Sequence, residues 1–195
     1  LMDLSGDVIA LTAALVDIPS VSGDEKLLAD LVHDALELPH LTVTRTGNNI
    51  VARTHLGRDR RVLLAGHLDT VPIADNLPSR REGDLLYGCG TSDMKSGDAV
   101  LLHLAATVTD PAYDLTFVLY DNAEVEASRN GLGTLVREHR DLLEADLAIL
   151  LGPTSGQGGA GCQGGLRIAL VRTGRRADIA HTWFGRVTAI PRSRY

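Results

Sequence analysis

The amino-acid sequence predicts an α/β fold in which a mostly parallel central sheet is covered by helices. Three nearly continuous apolar runs of strand length, at 61–65, 115–120 and 147–151, are typical of strands buried on both faces. Helical patterns at about 97–107 and 133–143 fall between these runs, which produces the alternating order of such folds. A chain of 195 residues, 44% hydrophobic and 23% charged, is long enough to bury the core that this fold requires.

Two helices are predicted before the first of these strands. Residues 7–18 carry apolar side chains at helical spacing, and Pro19 ends the pattern because it cannot donate a helix hydrogen bond. Ser22 and Glu25 have the Ser-x-x-Glu spacing of a capping box. We therefore expect them to begin a second helix, whose apolar face continues to Leu36.

Two further segments predict local structure on either side of this core. Short β-branched runs at 41–45 and 49–54 are separated by a Gly-Asn turn and predict a hairpin or a strand pair. Seven of the 20 glycines lie between residues 152 and 165, where the sequence matches no phosphate-binding motif. This stretch therefore predicts a loop that leads into a strand at 166–171.

The distribution of charge argues against a nucleic-acid partner. The net charge is -6, yet residues 171–195 contain six arginines and one acid, so the rest of the chain is strongly acidic. An acidic body does not provide a surface that follows a phosphate backbone. A protein that uses its basic tail for interactions remains an alternative, and salt-sensitive binding to a polyanion would test it.

The sequence also predicts a cytoplasmic protein without a membrane partner. It contains no apolar run of about 18 residues, and its first residues lack the pattern of a signal peptide. The two cysteines, Cys89 and Cys162, form neither a CxxC pair nor a disulfide framework, which fits a reducing compartment and argues against a zinc site of thiolates.

Side chains that bind metals follow two of the three predicted buried strands. His67 and Asp69 come directly after the first strand, Asp121 and Glu124 after the second, and Gly152 after the third. Ligands of open α/β sheets bind beyond the carboxyl ends of the strands. Two strand ends therefore present metal ligands to this edge, and the third does not.

The residue types at this edge suit a hydrolytic metal site. His67 and Asp69 are two residues apart in extended geometry, so one can ligate a metal while the other orients it. Asp93 lies in a glycine-flanked loop, 88–97, before a helix and could be either a helix cap or a ligand. Taken singly, His67, Asp93 and Glu124 each have an ordinary structural explanation. Together with Asp69 they form the oxygen and imidazole set expected for one or two metal ions.

Four blocks of sequence resemble the M20 metallopeptidases, most closely the actinobacterial type of succinyl-diaminopimelate desuccinylase. They are 66–72 (GHLDTVP), 88–97 (GCGTSDMKSG), 120–126 (YDNAEVE) and 160–164 (AGCQG). The resemblance extends from about residue 3 to residue 174 and covers about the first half of such an enzyme. It implies that 1–174 form the N-terminal part of a zinc-peptidase-like catalytic domain and that 175–195 begin a truncated lid and dimerisation domain.

The resemblance also implies an activity. It is that of a zinc-dependent amidohydrolase of lysine biosynthesis, which cleaves N-succinyl-LL-2,6-diaminopimelate to succinate and LL-diaminopimelate. An aminoacylase or dipeptidase acting on another N-acyl amino acid is the alternative within the family. Members form homodimers through the lid, and we expect this dimer not to form when the lid is truncated.

Four residues receive roles from the resemblance. His67 would ligate one zinc ion, Asp93 would bridge two, Glu124 would ligate the other, and Asp69 would support the ligands from behind. Cobalt is an alternative metal. The peptide bond after Asp93 is often cis in the family, so we expect a cis bond between Asp93 and Met94.

The sequence departs from the family at positions of chemical importance. Ala123 occupies the position of the general-base glutamate, and Gly152 directly precedes Pro153 where the family has a glutamate ligand. Asp178 stands at the position of the lid histidine that holds the oxyanion. We therefore expect fewer than two zinc ions, and a catalytically dead, truncated remnant of the enzyme is the second hypothesis.

Overall fold

A five-stranded mixed sheet forms the centre of the fold in the computed structural model, which describes residues 2–155 and 157–159. The helices are α1 (Val8–Val16), α2 (Lys26–Leu36), α3 (Ser96–Thr107) and α4 (Gly131–Glu138). The strands are β1 (Thr42–Thr46), β2 (Asn49–Arg53), β3 (Arg61–His67), β4 (Arg80–Glu82), β5 (Leu85–Tyr87), β6 (Asp114–Tyr120) and β7 (Leu147–Leu150). Strands β4 and β5 form a separate two-stranded sheet.

The three strands predicted from apolar runs are parallel neighbours. The sheet order is β1-β2-β6-β3-β7, in which β3 runs parallel to β6 and to β7. Strands β1 and β2 form the predicted antiparallel pair, and β2 is antiparallel to β6. The predicted α/β fold is therefore confirmed. Because His67 pairs with Tyr120 in the β3–β6 register, the carboxyl ends of both strands lie level at one edge.

Two hydrophobic clusters occupy the two faces of the sheet. Ile50 and Ala52 of β2 join the larger cluster, which also receives side chains from α1, α2 and α3. Val51, between them, joins the smaller cluster together with Leu135 of α4. This alternation follows from the period of two along a strand, and it places three helices against one face and α4 against the other.

The predicted capping box at the start of α2 is wrong. Glu25 occupies the N-cap position in a helical conformation, and no side chain accepts a hydrogen bond there as a cap. The Ser22 hydroxyl donates instead to Oδ2 of Asp69 at 2.6 Å, and Oε1 of Glu25 accepts from the amides of Gly23 and Asn122. Both side chains are used in contacts distant in sequence, which a local pattern does not reveal.

The helix predicted at 133–143 begins and ends earlier than expected. The side chain of Asn130 accepts hydrogen bonds from the amides of Leu132 and Gly133, so α4 begins at Gly131. The remaining residues form a separate 3₁₀ turn, Arg140–Leu143. The amphipathic pattern covered both pieces, but the cap determines where the α-helix starts.

Strand β7 is not buried on both faces, contrary to the prediction. Leu147, Ile149 and Leu150 retain 54%, 44% and 57% of their accessible surface, and β7 is the last strand in the sheet order of the described residues.

The exposed apolar edge at β7 predicts self-association of the chain. We expect light scattering to show oligomers of this chain, and Ile149→Lys to reduce them. A monodisperse monomer with a cooperative melt would contradict this expectation.

Asp114 anchors the end of the sheet opposite to His67. Its carboxylate accepts hydrogen bonds from the Thr54 hydroxyl at 2.6 Å and from the amides of Leu56 and Arg58 at 2.8 and 2.9 Å. Burial by itself would raise the pKa of Asp114, but these hydrogen bonds and Arg61 outweigh it and lower the pKa to about 2.

This depressed pKa predicts a specific loss of stability in acid. A carboxyl group with a lower pKa in the folded state stabilises the fold above its unfolded pKa, and the contribution disappears as the pH falls through the folded pKa. We expect Asp114→Asn to unfold at lower urea concentration than the wild type at pH 7, and the difference to shrink between about pH 4 and about pH 2. A difference that stays constant over this range would show that the charge of Asp114 contributes nothing.

Among the described residues, no helix is both long and apolar enough to cross a membrane. The predicted domain boundary at 174/175, the expected strand at 166–171 and the basic tail all lie outside the described residues.

Candidate metal centre

His67 is positioned by the end of β3 and by the backbone that follows it. Its Nδ1 lies 3.0 Å from the carbonyl oxygen of Asp69. Because a carbonyl oxygen can only accept, Nδ1 donates its proton in this contact, and Nε2 is the ring nitrogen that a metal ion could bind. That Nε2 lies 3.2 Å from Oδ1 of Asp93 and 3.6 Å from Oε1 of Glu124. The imidazole therefore presents its ligating nitrogen to two carboxylates.

Asp93 is carried by a tight turn that comes before α3. The turn, Thr91–Lys95, contains a cis peptide bond between Asp93 and Met94, as the sequence resemblance implied. Gly90, which precedes it, has φ +84°, and a Cβ there would lie 2.6 Å from Cγ2 of Thr70. The N-cap of α3 is Lys95, and no side chain caps this helix. The sequence left Asp93 as either a helix cap or a metal ligand, and the structure shows that Asp93 does not cap α3.

Asp69 supports both His67 and the loop that carries Glu124. Its fully buried carboxylate accepts hydrogen bonds from the amides of Ala123 and Glu124, each at 2.9 Å, in addition to the one from Ser22. Burial by itself would raise the pKa of Asp69, but the His67 imidazole, whose Nδ1 lies 3.4 Å from Oδ1, and the hydrogen bonds from Ser22 and the two amides lower it to about 2. Asp69 is therefore a fixed negative charge that orients its neighbours.

The electrostatic environment of this edge favours a cation. Burial by itself would lower the pKa of His67, but the close Asp69 carboxylate, together with the acidic groups of Asp98 and Asp93, outweighs it and raises the pKa to about 9. The same acidic groups oppose a further negative charge, and together with burial they raise the pKa of the Tyr120 hydroxyl to about 12.

Among the described residues, His67, Asp93 and Glu124 form the one group with the composition of a metal site. Each offers one ligand atom, and these atoms lie within 4.8 Å of one another. Other acids near the loop point elsewhere: Oδ1 of Asp121 lies against Gly131 at the start of α4, and Glu126 lies 3.9 Å from Arg129. Gly152 provides no side chain.

Two buried charged residues beside this group, Lys95 and Asp98, are not evident from the sequence. Nζ of Lys95 donates to the carbonyl oxygens of Leu15 and Ile18 at 2.9 and 2.7 Å, which ties the turn carrying Asp93 to the end of α1. Burial lowers the pKa of Lys95 to about 8 and raises that of Asp98 to about 8. In the sequence, both residues look like ordinary charges at the start of an amphipathic helix, and only their burial distinguishes them.

Comparison with known sequences identifies relatives over nearly the whole chain. The model of peptidase family M20/M25/M40 matches residues 63–191. A Mycobacterium tuberculosis protein provisionally named succinyl-diaminopimelate desuccinylase DapE is 57% identical over 187 residues, which is 95% of this chain and 53% of that protein. The succinyl-diaminopimelate desuccinylase of Corynebacterium glutamicum is 54% identical over 190 residues, 94% and 52% of the two chains. The chain thus spans about half the length of the curated relatives it matches.

Solved structures share the fold at lower identity. Human carnosine dipeptidase 1 superposes with a TM-score of 0.63 and 18% identity over 73% of this chain and 37% of that one. A tripeptidase from Staphylococcus aureus superposes with a TM-score of 0.57 and 24% identity, covering 73% and 42% of the two chains. At these identities the similarity shows the fold, and it agrees with the α/β architecture predicted from the sequence.

Proposed function

Because this chain belongs to peptidase family M20/M25/M40, we propose that His67, Asp93 and Glu124 bind zinc in a site built for amide hydrolysis. The substrate class that we propose is an N-acyl amino acid, and N-succinyl-LL-2,6-diaminopimelate is the specific candidate. The names of the relatives that are 54% and 57% identical support this candidate.

The distances between the ligand atoms carry the proposal. Two atoms that bind one zinc ion tetrahedrally at about 2.0–2.1 Å lie about 3.4 Å apart. Nε2 of His67 lies 3.2 Å from the Asp93 carboxylate and 3.6 Å from that of Glu124, so the spacing fits a shared ion. An imidazole and two carboxylates are also ligands of the type that zinc accepts in catalytic sites.

The chain's own residues would contribute orientation and charge. When bound, zinc supplies a Lewis acid that polarises a carbonyl group and lowers the pKa of water from about 15.7 to about 7. Nδ1 of His67 donates to the Asp69 carbonyl, which fixes the ring so that Nε2 would be available to a bound ion. The Asp69 carboxylate holds the Ala123 and Glu124 amides, which fixes the loop that bears the third ligand.

A second candidate function is metal binding without catalysis, and Ala123 favours it. The resemblance places the general base at this position, but the Ala123 methyl group has no proton to exchange and packs against the smaller hydrophobic cluster. The loop backbone is held by Asp69, while Ala123 supplies no acid–base group. Such a chain would keep the ligands of one ion and lose the proton transfer that hydrolysis requires.

Zinc affinity in matched histidine variants tests the proposed site. We expect His67→Ala to weaken zinc binding at least about 100-fold, since it removes a direct ligand. His40, whose Nε2 contacts the carbonyl oxygen of Ala105 at 2.8 Å, is a half-buried histidine outside the group, and His40→Ala should leave the affinity unchanged. Competition with a chromophoric chelator measures both. Equal affinity for zinc in wild type and His67→Ala would refute the site.

A further inference from the structure

The segment that comes before α2 reaches into the metal centre. Val21 forms a parallel bridge with Thr70, and the Ser22 amide donates to the Thr70 carbonyl at 3.1 Å. This pairing places Glu25 next to the loop that follows β6, although the two are separated by 97 positions in sequence. The Glu25 side chain is completely buried.

Three successive amides of that loop donate to buried carboxylates. The Asn122 amide donates to Oε1 of Glu25 at 3.2 Å, and the Ala123 and Glu124 amides donate to Asp69 at 2.9 Å each. Asn122 has φ +55°, in the left-handed region that a non-glycine residue adopts at a cost. The conformation must therefore be maintained by neighbouring groups, and Glu25 is the acceptor at the residue where the backbone is strained.

Glu25 is also held in place from its own side. The same Oε1 accepts from the Gly23 amide at 2.8 Å, so one oxygen atom joins the Ser22–Gly23 turn to the Asn122 turn. Ser22 meanwhile donates to the other carboxylate that holds the loop, that of Asp69. The segment thus contacts the Glu124 loop twice, once directly and once through Asp69.

We propose that Glu25 is a positioning residue for the metal ligand Glu124: by accepting the Asn122 amide, it holds the loop so that Glu124 faces His67 and Asp93. The proposal rests on the proposed function in taking Glu124 as a ligand. It assigns the Ser-x-x-Glu segment to the metal centre instead of to the start of α2. Glu25 does not contact the metal ligand atoms and acts through the backbone.

Three variants separate this role from a general contribution to stability. Glu25→Ala removes the acceptor, whereas Glu25→Gln keeps an oxygen that can accept both amides and replaces the charged carboxylate, whose Oε2 has no hydrogen-bond partner, by a neutral amide. Asp114→Ala is the matched control, because Asp114 is likewise a buried carboxylate that accepts two loop amides, from Leu56 and Arg58 at the opposite end of the sheet. Should Glu25→Ala fail to fold, Glu25→Asp, whose shorter side chain cannot reach both amides, replaces it.

The first measurement is amide hydrogen exchange of the metal-free 195-residue chain. We expect Glu25→Ala to accelerate exchange at 122–124 at least about tenfold, Glu25→Gln to stay within about twofold of wild type, and Asp114→Ala to accelerate exchange at 56–58 alone. The second is zinc competition at a temperature where all variants are folded. We expect Glu25→Ala to bind zinc about tenfold more weakly, with Glu25→Gln and Asp114→Ala close to wild type.

Unchanged exchange at 122–124 in Glu25→Ala would overturn the inference. So would a zinc affinity that falls equally in Asp114→Ala, since the loss would then follow stability and not position. A wild-type chain that binds no zinc would refute the proposed function instead, and hydrogen exchange at 122–124 would still decide whether Glu25 holds the loop.

Discussion

The 195-residue chain is expected to release succinate from N-succinyl-LL-2,6-diaminopimelate at or near the uncatalysed rate, with zinc or cobalt added. General acid–base catalysis typically contributes a factor of about 10²–10⁴, which corresponds to about 3 to 5 kcal/mol of barrier. Ala123 cannot provide it, and the structure packs its methyl group against apolar side chains. The neighbouring acid, Glu124, has its carboxylate 3.6 Å from His67 and is committed to the proposed metal site.

Ala123→Glu alone is not expected to restore turnover, because Gly152 still provides no ligand for a second metal ion. The double variant Ala123→Glu/Gly152→Glu should exceed both single variants if these two positions are the defects. The activity of the wild type, the two single variants and the double variant is measured as succinate release. N-acetyl amino acids and dipeptides serve as comparison substrates, and their hydrolysis is measured as release of the free amino acid. Turnover of about 1 s⁻¹ by the wild type or by Ala123→Glu would contradict the hypothesis that the chain is inactive. A preference for an N-acetyl substrate would favour the aminoacylase alternative.

The dialysed chain is expected to hold well under two equivalents of zinc. One imidazole and two carboxylates can serve one ion, whereas a second ion would need ligands that the described residues do not bring together. Gly152→Glu should raise the zinc content. The β3–β7 register pairs Ala65 with Leu150, so residue 152 lies level with His67 at the same edge, and a Cβ at Gly152 meets no atom within 4 Å.

Gly152→Gln is the matched control, since it adds a side chain of the same size without a carboxylate. Metal analysis after dialysis should show a gain for Gly152→Glu and none for Gly152→Gln. Two tightly bound ions in the wild type would contradict the prediction. They would mean that another residue, such as Asp121, Glu126 or His181, serves as a ligand, and alanine variants of these three would identify it.

The sequence was sufficient to place two of the three candidate ligands at one edge. His67 and Glu124 follow apolar runs of strand length that predict neighbouring parallel strands, and the carboxyl ends of parallel strands meet at the same edge of a sheet. The helices and the β1–β2 pair were likewise predicted from the periods 3.6 and 2, because such periodicity records which face of an element is buried. The roles of Ala123 and Asp93 needed the family resemblance as well.

Tertiary structure alone decided how other side chains are used. Ser22 and Glu25 have the spacing of a capping box, but their hydrogen bonds go to Asp69 and Asn122, which lie 47 and 97 positions away. The apolar run of β7 looks like a buried strand, yet its burial depends on which neighbours follow in the sheet order. Local patterns record the backbone geometry of an element, whereas the partner of a polar atom or the cover of an apolar face depends on segments that only folding brings together.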